Sequence, residues 1–192
     1  NKLTPNNPVI LEWTNNQGII FQNKFELDEK YLIKLNQKII NNTDKAFDFY
    51  PYAQIVRNIK PDVTNFYILH EGLLGVFDEE LIEKDYDDIN ELSEKNDKFT
   101  KNATTGWLGI TDKYWITAIV PEQNKNFKSE FDYEKKYKAN FIITDAFESK
   151  AGQTISNDIK IFTAAKEVEV IDRYAETENK KKFDLAIDWG WF

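Results

Sequence analysis

The 192-residue chain carries 25 Lys and Arg against 33 Asp and Glu, a formal net charge of −8, which argues against a nucleic-acid surface and against electrostatic docking on anionic lipid. The absence of Cys excludes disulfides, thiolate metal centres and a Cys nucleophile, and no apolar run approaches the roughly 18 residues that a membrane-spanning helix needs. With 14 Phe, 9 Tyr and 5 Trp, the interior of one domain must be filled largely by rings, a composition that suits a sheet protein.

In chain order, apolar residues first recur at odd positions: Val9, Leu11 and Trp13, then Ile19, Phe21, Phe25 and Leu27, then Tyr31, Ile33, Leu35 and Ile39. A period of two predicts strands with one face buried. Asn15 to Gly18, Asp28 to Lys30 and Asn41 to Asp44 supply the turns of an antiparallel meander. Asn41-Asn42-Thr43 and Asn102-Ala103-Thr104 match the N-glycosylation pattern, but the turn reading accounts for both. Phe47 to Arg57 continues as extended chain broken at Pro51, and Phe66 to Phe77 reads as a further strand. Asp78 to Glu80 turns the chain into Leu81 to Ile89, whose acidic end, Asp85 to Asn90, reads as a solvated strand end. Asn90 to Asn102 reads as a charged connector able to hold a short helix.

Gly106 to Pro121 (GWLGITDKYWITAIVP) predicts a buried strand pair parted at Thr111-Asp112-Lys113. Odd positions from Phe127 to Ile143 carry rings and aliphatics while even ones carry charge, with a turn placed near Glu134 to Lys136. Ala151 to Gln153 is a turn and Asp158 to Ala165 a strand. Only Glu167 to Asn179 changes to helical spacing, giving one amphipathic helix near the C-terminus, followed by a strand at Phe183 to Ile187. A chain that has no Met and begins Asn1-Lys2-Leu3 is expected to be a piece of a longer protein.

Catalytic signatures are sparse. His70 precedes Glu71, but adjacent strand residues point to opposite faces and cannot address one substrate together. One His without Cys leaves transition metals short of ligands, and Asp85 to Asn90 departs from the EF-hand spacing. Gly72-Leu73-Leu74-Gly75 lacks the P-loop lysine, and none of Ser93, Ser129, Ser149 or Ser156 sits in a GxSxG elbow. The expectation is therefore a non-enzymatic chain with no cofactor and no metal.

Five segments, YPYAQIVR (Tyr50 to Arg57), FYILHEGLLGV (Phe66 to Val76), GWLGITDKYWITAIVP, FTAAKEVEVID (Phe162 to Asp172) and FDLAIDWGWF (Phe183 to Phe192), resemble in order and spacing the large periplasmic domain of the bacterial YidC membrane protein insertases. The resemblance implies an all-β, antiparallel β-supersandwich of sugar-epimerase-like shape with a helix near its end. It also implies that the chain matches the later part of that domain, beginning after the domain's own start and ending before a second membrane helix. Residues 1–165 would form the sandwich and 166–192 a junction. Location at the periplasmic face of the inner membrane, and Sec translocon subunits and nascent membrane proteins as partners, follow as expectations.

At the chain's end, Trp189, Trp191 and Phe192 are amphipathic rings of the kind enriched at lipid headgroups, and Tyr174 and Phe183 match the junction. These five are the candidate junction and membrane-interface residues. Two other readings compete: a carbohydrate-binding or carbohydrate-modifying sandwich, by fold analogy, and a purely structural spacer.

Overall fold

The computed structural model describes residues 2–29, 32–61 and 70–166. Fourteen strands and one helix are described, and every strand pairing between them is antiparallel. The meander forms as its turns predict: β1 (Val9–Thr14), β2 (Ile19–Leu27) and β3 (Leu32–Asn41). Asn15 closes the first hairpin with its own side chain, its Oδ1 accepting from the backbone N–H of Gln17 and of Ile19 at 3.0 Å each. Asp28 Oδ1 does the same for the second, accepting from the Leu32 N–H at 2.9 Å. In the third turn Asn41 is fully buried, and its Nδ2 donates to the carbonyls of Lys45, Ser149 and Lys150. That engagement accounts for the turn and leaves the Asn41 amide no room for a glycan.

Pro51 splits the next stretch into β4 (Phe47–Phe49) and β5 (Tyr52–Arg57). Of the strand expected over Phe66 to Phe77, β6 (Gly72–Phe77) lies within the described residues and is buried throughout. A two-residue hairpin leads to β7 (Glu80–Asp85), with Asp78 and Glu79 both at positive φ, 48° and 77°, as the right-handed twist of paired strands favours.

Here the structure corrects the sequence reading. Residues 85–90 are not a strand end but the start of α1 (Tyr86–Glu94). Asp85 is its N-cap in extended geometry, Asp88 Oδ2 accepts from the Asp85 N–H at 3.3 Å, and Asp87 and Asp88 place negative charge at the positive end of the helix. The acids that looked like a solvated run are a capping signal. The helix expected at Glu167 to Asn179 and the strand at Phe183 to Ile187 lie outside the described residues.

Next, β8 (Phe99–Ala103) occupies the end of the supposed connector. The predicted pair follows as β9 (Gly106–Thr111) and β10 (Trp115–Val120). Trp107 is buried, but Trp115 is 61% exposed, because it starts β10 on the rim. The hairpin of β11 (Phe127–Tyr133) and β12 (Tyr137–Ile143) turns where expected, with Lys135 at φ 60°. The last described strands are β13 (Phe147–Ser149) and β14 (Thr154–Ala165).

These strands build an eight-stranded sheet in the order β1-β2-β3-β14-β10-β9-β6-β7, a four-stranded sheet β5-β12-β11-β8, and a two-stranded ribbon of β13 and β4. The main core lies between the two larger sheets, where Leu73, Phe77, Leu108 and Ile110 meet Phe127, Phe131, Phe141 and Ile143. Phe131 stacks on Phe99 at 5.1 Å and approaches Phe77 at 6.2 Å, so rings do fill the interior. A second cluster, including Trp107, Ile116 and Phe162, lies on the other side of the large sheet. Burial on both faces explains why β6 and β9 read as continuous apolar runs while β11 and β12 alternate. The helix closes one end: Tyr86 meets Tyr137 edge-on at 4.6 Å, and Ser93 Oγ donates to the Tyr133 carbonyl at 2.7 Å. At the same end Arg57 on β5 bonds Asp112, just after β9, at 2.6 Å and so ties the two sheets together. Burial first, and then the nearby Asp112 charge, push the Tyr86 phenol well above its ordinary pKa.

Two tests follow. Gly106 sits at φ 132° with the Val76 carbonyl where a Cβ would project, so Gly106→Ala should cost at least about 3 kcal/mol. Gly152→Ala, at φ 71° with open space around it, should cost only about 1 kcal/mol; urea unfolding of both variants reads the contrast. Asp78 Oδ1 accepts from the backbone N–H and the hydroxyl of both Thr104 and Thr105. Partial burial pushes its carboxyl up, but the four bonds outweigh it and hold the pKa below the ordinary value. A native pKa below the unfolded one gives stability that is fully present above the unfolded value and is lost as pH falls through the native one. Asp78→Asn should therefore be less stable by up to about 1 kcal/mol above about pH 5, the gap closing in more acid buffer. Thermal melts of both proteins across pH test it.

Candidate binding groove

The register of the meander aligns three rows across the large sheet. Trp13, Phe21, Ile39 and Ile155 stand side by side on β1, β2, β3 and β14. Two residues along, Leu11, Asn23, Gln37 and Asn157 form the next row, and Val9, Phe25, Leu35 and Ile159 the third. Successive odd positions share one face, so three carboxamides lie between two apolar rows.

A cleft of about 260 Å³ opens over the first two rows. Its floor is the sheet, and its other wall is made by Phe49, Tyr50, Pro51, Tyr52 and Phe147 of the β4 and β13 ribbon and the start of β5. Trp13 stacks on Phe21 with ring centres 5.2 Å apart and planes within 8°, and Phe49 meets Phe21 edge-on at 6.0 Å. The sequence alternation placed β1 with one face in the core; instead Leu11 is 54% and Trp13 49% exposed. The reason is topological: β1 is an edge strand of the eight-stranded sheet, whereas the core that the four-stranded sheet covers is drawn from the strands further in.

Two of the carboxamides, Gln37 and Asn157, are wired in one direction. Gln37 Nε2 donates to the Tyr52 carbonyl at 3.4 Å, and Asn157 Nδ2 donates to Gln37 Oε1 at 3.1 Å. Asn157 is 3% exposed, and its Oδ1 has no hydrogen-bond partner among the described residues. A buried acceptor left this way costs about 1–3 kcal/mol. Among the described residues no Asp or Glu lines the cleft, and Lys38 is the one charged residue in its lining. The Tyr52 phenol, raised above its ordinary pKa by burial first and then by the Asp132 charge, stays neutral.

His70 and Glu71 do not converge on this cleft. They lie just before β6, where His70 Nε2 donates to the Leu73 carbonyl at 3.1 Å and its Nδ1 is 3.3 Å from Asp85 Oδ1. Glu71 Oε1 instead accepts from the Lys113 N–H at 3.0 Å, so the two side chains serve different neighbours. Tyr174, Phe183, Trp189, Trp191 and Phe192 lie outside the described residues. Sequence reasoning missed the groove, yet a signal existed: Asn23 and Gln37 are polar at odd positions whose neighbouring odd positions, Phe21 and Phe25 on one strand and Leu35 and Ile39 on the other, are apolar.

Comparison with known proteins gives the family. A family model described as "YidC periplasmic domain" matches residues 1–192. A protein named membrane protein insertase YidC from Pelagibacter ubique is 52% identical over 191 residues, covering 100% of this chain and 33% of that protein. Its counterpart from Agrobacterium fabrum is 40% identical over 197 residues, again 100% of this chain and 32% of that protein. The chain thus spans about a third of these relatives, whose names describe membrane protein insertion rather than a catalysed reaction.

Among solved structures, the GH36 α-galactosidase AgaA from Geobacillus stearothermophilus superposes with a TM-score of 0.59 at 5% identity, over 84% of this chain and 24% of that one. A galactose mutarotase related enzyme from Lactobacillus acidophilus gives 0.52 at 9% identity, over 83% and 70%. At such identities the likeness is one of fold, the antiparallel sandwich of sugar epimerases. Sequence family and sandwich architecture agree, and the chain belongs to the YidC periplasmic-domain family, on the periplasmic face of the bacterial inner membrane.

Proposed function

We propose that this domain is a non-catalytic contact surface of a membrane protein insertase, meeting nascent membrane proteins or subunits of the Sec translocon on the periplasmic side. The observation that carries the reading is the family match over all 192 residues, joined to relatives named as insertases. The structure supports a role in contact: exposed Trp13 lines the cleft, and exposed Tyr114 and Trp115 lie at the β9–β10 turn. Exposed rings are the residues that dominate binding energy at protein interfaces.

The carbohydrate reading has less support. Glycoside hydrolysis in most families needs a pair of carboxylates astride the substrate, and among the described residues no Asp or Glu lines the cleft. The candidate junction residues Tyr174, Phe183, Trp189, Trp191 and Phe192 are proposed to mark the approach to the lipid interface.

In-cell photocrosslinking in the full-length protein tests the contact role, with a photoreactive residue placed in turn at Trp13, Tyr52, Tyr114, Tyr174 and Trp191. The expected outcome is adducts to client chains or translocon subunits from at least one of the first three positions. Adducts confined to Tyr174 and Trp191, or to lipid, would make the sandwich a spacer and move the function to the junction.

A further inference from the structure

We propose that the β9–β10 turn is a lipid-binding foot of the sandwich: Tyr114 and Trp115, with Ile59 beside them, seat among the phospholipid headgroups of the periplasmic leaflet. The proposal rests on the family's place at the periplasmic face of the inner membrane and goes beyond the contact role by giving this turn a lipid partner.

Exposure is the first warrant. Ile59, Tyr114 and Trp115 are the three most exposed large apolar side chains among the described residues, at 79%, 64% and 61%. Single exposed apolar residues are ordinary, but these three gather at one end of the molecule. Arg57, the last residue of β5, bonds Asp112 at the start of the turn, so Ile59, two residues further on, emerges on the same end.

The path of the chain is the second. Trp115 pairs with Ala165, the last residue of β14, and the Lys166 N–H donates to the Tyr114 carbonyl at 2.9 Å. The described chain therefore leaves the sheet alongside the turn. Tyr174, the first of the proposed junction residues, follows Lys166 by eight residues, a reach of at most about 28 Å. A junction that meets lipid keeps the turn within that distance of it.

The chemistry agrees. Tyr and Trp rings lie at the boundary between acyl chains and headgroups, with the phenol or indole N–H turned to the polar side. Lys113 Nζ stands 4.9 Å from the centre of the Tyr114 ring and carries the charge that a lipid phosphate takes. Nearby acids are already met: Asp112 by Arg57, Asp87 by Lys60 at 2.6 Å, and Glu71 by the Lys113 N–H. The net charge of −8 does not fall on this turn, because Asp112 is the one acid between Gly106 and Val120. Seating the rings thus strands no bare carboxylate in the headgroup layer.

The test is photocrosslinking of the full-length protein in nanodiscs of phosphatidylethanolamine and phosphatidylglycerol, and again in cells, where protein partners compete. A photoreactive residue is placed in turn at Ile59, Tyr114 and Trp115, with Gln17 and Asn124, in turns at the opposite end of the sandwich, as controls. Lipid adducts, identified by mass spectrometry, should be at least about fivefold more abundant at the three positions than at the controls. Tyr114→Ser combined with Trp115→Ser, both exposed, should lower the lipid adduct at Ile59 about fivefold, whereas Tyr114→Phe combined with Trp115→Tyr should retain it.

The proposal is overturned by lipid adducts no more abundant at the turn than at the controls, or by adducts there in cells to protein alone. An Ile59 adduct that the serine pair leaves unchanged also overturns it, since tethering by the chain would then account for the proximity. Protein adducts at Trp13 and Tyr52 decide the contact role separately, so either reading can fall while the other stands.

Discussion

The large sheet depends on one strand. β14 pairs with β3 from Thr154 to Phe162 and with β10 from Lys160 to Ala165, so it joins the N-terminal meander to the strand block that includes β9 and β6. It has two ladder partners at once only over Lys160 to Phe162. Past that overlap its second half is hemmed by β10 and the second core cluster, while its first half faces the cleft at Ile155, Ser156 and Asn157. The groove is what this offset leaves: a stretch of sheet extended beyond the block that buries the rest.

That division sets how much of the molecule its sequence discloses. Where one face is covered and the other wet, as in β11 and β12, a period of two is visible and both strands and their turn are read correctly. Where both faces are covered, as in β9 and β6, the period vanishes, but short apolar runs bounded by Gly and polar residues still mark the strands. The edge was misread because alternation reports a face and not what covers it: Leu11 and Trp13 obey the pattern and are half exposed. The acidic segment after β7 was misread for a different reason. Asp85 and Asp88 act on the helix start through main-chain geometry, and a charge run can cap a helix as readily as it can solvate a strand.

The groove was the least legible feature because it depends on register. Asn23, Gln37 and Asn157 are far apart in sequence, and only the pairing of β2 with β3 and of β3 with β14 sets them in one row. Burying amides among aliphatics and rings is costly unless each group is met, and within this row the protein makes the bonds from Gln37 to the Tyr52 carbonyl and from Asn157 to Gln37. By contrast, Asp112, Tyr86 and Arg57, a more conspicuous polar group, are satisfied by one another and serve to fasten two sheets. Polar residues inside this sandwich therefore differ in completeness: the Asp112 group closes on itself and holds the fold, whereas the carboxamide row keeps the Asn157 Oδ1 acceptor unmet among the described residues.

The position of β14 also has a mechanical meaning. A force arriving at Ala165 along the strand would load its ladders with β3 and β10 in shear, so that the bonds on both flanks share the tension instead of breaking one at a time. A hairpin pulled apart from its open end, such as β1 with β2, has no such sharing. The sandwich is thus strongest along the line that leaves it from β14 and weakest at the free edge beside the groove, so a tug on the chain beyond Ala165 would deform that rim before it disturbed the core.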